Sequence, residues 1–149
     1  MSMDSHAERT NALKKMPLLA VLPHSDLEAI AQRMEVKGYE PGDEIIKQGA
    51  SGASAFFVLS GQCEVRRKLG RASKRIAFIE AGDFFGELSI VAPAPRSASV
   101  VATEPSVLLV LTSTEFNNAL RTNRSMALHL VKVLAQRLQK AVDEFGQTA

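Results

Sequence analysis

The sequence predicts an α+β fold, mainly β: an antiparallel double-stranded β-roll or jelly roll with N-terminal helices, one short internal helix and a long C-terminal helix. From residue 37 to 111, short apolar or alternating runs recur at close spacing, separated by glycine-rich or polar turns. Before that zone, apolar residues repeat at helical spacing behind a capping signal. After it they do so again over a longer stretch.

Residues 1–36 form the N-terminal helical segment, with helix expected over about 7–36. In PLLAVLPHSDLEAIAQRM, Ser25 precedes Glu28 by three residues, a capping-box pattern, and Leu27, Ile30 and Met34 share one face. Residues 37–111 make the roll, with strands expected at 44–47, 55–59, 63–68, 75–79, 98–102 and 107–111. PGD, QGASG, SGQ, LGR, AGD and TEPS supply the turns. Residues 85–91 read poorly as a strand and are expected to be the short helix. Residues 112–149 hold the C-terminal helices. Thr112 with Glu115 repeats the capping spacing, and a break falls near Asn123. Met126, Leu130, Leu134, Leu138, Val142 and Phe145 then form an apolar stripe. That stripe has two readings: packing on its own roll, or a homodimer through a parallel pair of C-terminal helices.

Composition narrows the function. The chain has 46% hydrophobic and 23% charged residues and a net charge of +2, so nothing points to nucleic acid or a membrane surface. The one cysteine, Cys63, forbids an internal disulfide, suits a reducing compartment and reads as a buried, inert thiol. No apolar run approaches the roughly 20 residues of a membrane span, and the N-terminus has no apolar signal core. A cytoplasmic location follows as the expectation. His6, His24 and His129 are scattered, and no metal-ligand spacing, nucleophile elbow or P-loop occurs, so the expectation is no enzyme, metal or cofactor. The basic segment RRKLGRASKR sits between two strand-like runs without base-stacking aromatics and reads as a solvated hairpin tip, with no nucleic-acid contact.

Residues 84–100, FFGELSIVAPAPRSASV, are apolar or small except for Glu87 and Arg96. Buried charges are costly unless partnered. A short helix opening over 86–89 would present free N–H groups, Arg96 a planar fork of donors, and Ser97 a hydroxyl, all suited to a phosphate. Glu87 cannot serve a phosphate, but it can accept hydrogen bonds from a sugar hydroxyl. Together these describe a ribose phosphate. The equal alternative is a Glu87–Arg96 ion pair stapling a loop.

The run GDFFGELSIVAPAPRSASVVA resembles the phosphate-binding cassette of the cyclic nucleotide-binding domain family, here residues 82–100. That family includes regulatory domains of cyclic-AMP-dependent protein kinase, the bacterial catabolite activator protein and cyclic-nucleotide-gated channels. Upstream, YEPGDEIIKQGASGASAFFVLSGQCEV resembles the family's first strands, with Gly42, Gly49, Gly52 and Gly61 at the turns. The specific element is FGEL, eight residues between Glu87 and Arg96, then PRSASV. The resemblance implies a single cyclic nucleotide-binding domain. Arg96 would pair with the cyclic phosphate, completed by Ser97 and the backbone near Leu88 and Ser89, with Ala98 also among the binding residues. Glu87 would take the ribose 2′-hydroxyl, with Gly86 allowing close approach. Val65 or Ile76 would line the sugar and base pocket, and the last helix, within 126–145, would cap the purine. Cyclic AMP is the first ligand expected, with cyclic GMP the alternative. The implied mechanism is a switch in the C-terminal helix that controls a partner domain or protein. Alternatives are a ligand-independent interaction or dimerisation domain, or the sensor part of a transcription regulator without its DNA-binding domain.

Overall fold

The computed structural model describes residues 6–52 and 54–148. Three helices come first, α1 (His6–Lys14), α2 (Pro17–Ala20) and α3 (His24–Gln32), where one helical stretch was expected. Prolines account for the breaks. Pro17 opens α2, and Pro23 stands at the N-cap of α3. Proline tolerates a first turn but not a helix interior. The expected capping box also fails: no side chain caps α3, and Ser25 lies inside the helix. Leu27, Ile30 and Met34 are buried as a set.

Eight strands follow: β1 (Glu35–Tyr39), β2 (Glu44–Ile46), β3 (Ser54–Ser60), β4 (Gln62–Leu69), β5 (Ala72–Glu80), β6 (Phe84–Phe85), β7 (Ser99–Ala102) and β8 (Ser106–Thr112). They form two four-stranded antiparallel sheets, ordered β1-β8-β3-β6 and β2-β7-β4-β5. The roll is as expected, with two strands added. β1 is polar and half-exposed, so its pairing with β8 is invisible in the pattern. The two-residue β6 exists through Phe84 and Phe85 lying opposite Phe57 and Phe56, and the two ring pairs stack. This pairing trims the expected 85–91 helix to α4 (Leu88–Val91).

β3 and β8 are buried on both faces, which explains their unbroken apolar runs AFFV and VLLVL. Ala55, Phe57, Leu109 and Leu111 join a core with Leu13, Leu19, Leu27, Phe116 and Met126 from the helices. The alternate residues, Phe56, Val58, Leu108 and Val110, pack with Ile46, Cys63 and Val100 of the second sheet. The helices and the roll therefore share β3 and β8 as a common wall.

Thr112 caps α5 (Ser113–Thr122), its hydroxyl accepting from the Glu115 N–H at 3.3 Å, and Asn123 separates α5 from α6 (Arg124–Thr148). The apolar stripe of α6 does not pack along its length. Met126 and Leu130 are buried and Leu134 is half-buried, but Leu138 and Val142 are exposed. Phe145 lies outside the residues whose side chains are described. Among the described residues no helix is long and apolar enough to cross a membrane.

Candidate ligand-binding site

A cavity of about 700 Å³ lies between the roll, the α4–β7 segment and α6. Its size is that of a small-molecule site, roughly 300–1,000 Å³. Gly86, Glu87, Leu88, Ser89, Arg96, Ser97 and Ala98 all line it, and so do Val65 and Ile76. The local chain path explains the convergence. Directly after β6 comes Gly86, whose φ of +89° reverses the backbone. A Cβ there would fall 2.8 Å from the Ser54 carbonyl oxygen. Glu87 then enters α4, and the 92–95 segment carries the chain back to Arg96 through a bridge between Ser51 and Pro95.

The two charges are not directly bonded to each other. Arg96 is 7% exposed, and its Nη1 and Nη2 donate to the carbonyl oxygens of Gly86 (2.7 Å) and Ser54 (2.9 Å). Neither acceptor carries a charge, and among the described residues no carboxylate forms an ion pair with it. Glu87 is 2% exposed and accepts from Arg137 Nη1 of α6 at 2.7 Å. Arg137 also donates from Nη2 to the Phe84 carbonyl at 3.0 Å, and its guanidinium lies 4.4 Å from the Phe84 ring centroid. Burial pushes the Glu87 carboxyl above the usual range, opposed by its backbone hydrogen bond and then by Arg137 and Arg96. Burial lowers the Arg96 pKa, opposed by Glu87.

The sequence reading missed Arg137. A signal existed: it lies seven residues after buried Leu130, on the face that the apolar stripe turns toward the roll. It also missed the carbonyls that hold Arg96. Among the described residues no group of three or more His, Cys, Asp or Glu side chains could hold a metal. His129 is half-buried on α6, and Cys63 is fully buried with its thiol pKa raised by burial.

These features define a class: an α+β β-roll with a ligand-sized cavity closed on one side by its C-terminal helix. The family model described as the cyclic nucleotide-binding domain matches residues 36–123. A cAMP-dependent protein kinase regulatory subunit of Colletotrichum orbiculare is 40% identical over 91 residues, covering 61% of this chain and 23% of that protein. A cyclic AMP receptor protein of Thermus thermophilus is 31% identical over 130 residues, covering 87% of this chain and 60% of that protein. The crystal structure of the Thermus thermophilus catabolite activator protein superposes with a TM-score of 0.78 at 30% identity, covering 87% of this chain and 62% of that one. The chain belongs to the cyclic nucleotide-binding domain family. It spans less than two thirds of the length of these relatives.

Proposed function

We propose that this chain is a cyclic nucleotide sensor, binding cyclic AMP first and cyclic GMP as the alternative, and acting as a regulatory module, not an enzyme. One observation carries the reading: Arg96 lines a ligand-sized cavity as a buried cation whose bonded partners are all neutral. A phosphate supplies the missing negative charge. Ser97 and the first N–H groups of α4, at Leu88 and Ser89, extend that pole, beside Ala98. Glu87 accepts the ribose 2′-hydroxyl where Gly86 leaves room. Because Glu87 is already bonded to Arg137, a ribose at that carboxylate enters a network that includes α6. The ligand thereby favours one position of α6, and an effector domain or protein reads that position. The three zones 1–36, 37–111 and 112–149 act as one domain. A cytoplasmic setting suits its single buried thiol.

Calorimetric titration with cyclic AMP and cyclic GMP tests the assignment. Wild type binds at about micromolar affinity or tighter. Arg96→Ala loses about 2–5 kcal/mol of binding, as expected when a buried charge pair is truncated. No binding heat with either nucleotide, or an unchanged affinity in Arg96→Ala, overturns it.

The outer face of α6 favours a second reading. Leu128, Val131, Leu138 and Val142 are 61%, 65%, 66% and 54% exposed. With Ala135 they follow the three-four spacing of a heptad seam, which suits a second copy of α6. Sedimentation that gives a concentration-dependent dimer, lost in Leu138→Glu, supports a homodimer through this helix; a monomer throughout removes it.

A further inference from the structure

We infer that Gly52 is a positioning residue for the anion-binding pole: its bare backbone is the wall against which the Arg96 guanidinium is set. This rests on the reading that Arg96 takes an anionic ligand. Arg96 is clasped at every level by the segment before β3. Its backbone N–H donates to the Ala50 carbonyl, and its own carbonyl accepts from the Gly49 N–H, both at 2.8 Å. Its guanidinium is held by the carbonyls of Ser54 and Gly86. Main-chain carbonyls fix the direction of the fork without cancelling its charge. A carboxylate in their place would orient the arginine equally well but leave less charge for a ligand.

Gly52 closes the remaining side. A Cβ there would lie 2.7 Å from both Cζ and Nε of Arg96 and 2.6 Å from Cβ of Ser89. Neither neighbour is the loose end of a flexible chain. The guanidinium is tied to two carbonyls, and Ser89 Cβ is fixed to the backbone of α4. Gly52 does not lie in the left-handed region, unlike Gly86. Crowding, and not a left-handed backbone, is therefore what excludes a side chain there. One added methyl group pushes Arg96 off its carbonyls and Ser89 with it. That impairs the phosphate pole and leaves the far side of the cavity, around Val65 and Ile76, untouched.

The test is a double-mutant cycle on Gly52→Ala and Arg96→Ala, read by cyclic AMP affinity and by urea denaturation of the unliganded protein. Gly52→Ala weakens cyclic AMP binding roughly tenfold or more, a partial form of the loss in Arg96→Ala. In the Arg96→Ala background it costs no further affinity and less stability, because the guanidinium it collides with is gone and only the crowding against Ser89 remains. Equal effects of Gly52→Ala in both backgrounds overturn the inference. If Gly52→Ala alone does not fold, the double variant decides: a folded double variant, in which only the Ser89 crowding remains, supports the inference, and one that also fails to fold refutes it. If wild type binds no cyclic nucleotide, the ligand assignment fails, while the urea cycle still reports on the Gly52–Arg96 contact.

Discussion

Replacing Arg137 with alanine should separate α6 from the cassette, and the structure sets the size of the effect. The wild-type side chain makes a 2.7 Å bond to the Glu87 carboxylate, a 3.0 Å bond to the Phe84 carbonyl and a stacked contact on the Phe84 ring. In a dry site a charge-assisted bond contributes about 1.5–3 kcal/mol, the carbonyl bond about 1, and the ring contact about 0.5–1. The Arg137 side chain is 43% exposed, so water competes for it and roughly half of that sum is retained. The expected loss is about 2 kcal/mol, or about 4–8 °C in Tm for a domain of this size. Urea denaturation of Arg137→Ala, Glu87→Gln and the double variant measures the coupling, expected at about 1 kcal/mol near neutral pH. Since burial raises the Glu87 pKa, the coupling should fade as pH falls through a value above the ordinary glutamate range. Zero coupling at neutral pH, or coupling that persists to the acid end of the folded range, would refute the latch.

Three further outcomes follow from single contacts. Native Glu87 holds its proton more tightly than unfolded Glu87, because burial raises its pKa. Its contribution to stability is therefore most favourable below the ordinary glutamate range and declines as pH rises through the raised value. The stability of wild type relative to Glu87→Gln should fall over that interval; a rise would show that Arg137 and Arg96 outweigh burial. Thr112→Ala removes the hydroxyl that accepts the Glu115 N–H and should cost about 1 kcal/mol in urea denaturation, whereas Thr112→Ser should cost little. Cys63 has no exposed surface, and burial raises its thiol pKa. A thiol reagent should therefore label it only as fast as the roll opens, and rapid labelling of native protein would contradict its placement.

Legibility in the sequence followed distance along the chain. The roll, the Thr112 cap, the break at Asn123 and the convergence of Glu87 with Arg96 rest on patterns spanning roughly ten residues or fewer, and the structure contains all of them. What sequence reading missed depends on partners brought in from afar. The two-residue β6 exists because Phe56 and Phe57 lie opposite it. Arg137 reaches Glu87 across 50 residues, and Ser54 reaches Arg96 across 42. The same distances explain why the residues alone left the purpose of the two charges open, and only the family resemblance gave each a partner. An acid and a base nine residues apart are near enough to pair, and composition cannot say whether they do. The deciding element is the reversal at Gly86, which turns its carbonyl toward Arg96 and lets Glu87 meet α6. Each charge is then satisfied differently. Glu87 gains a cation from the middle of α6, and Arg96 bonds only to neutral oxygens. A staple would have neutralised both. This arrangement leaves one buried cation bonded only to neutral oxygens, with Glu87 acting on it through space alone, and under the proposed reading an anionic ligand adds most to stability there.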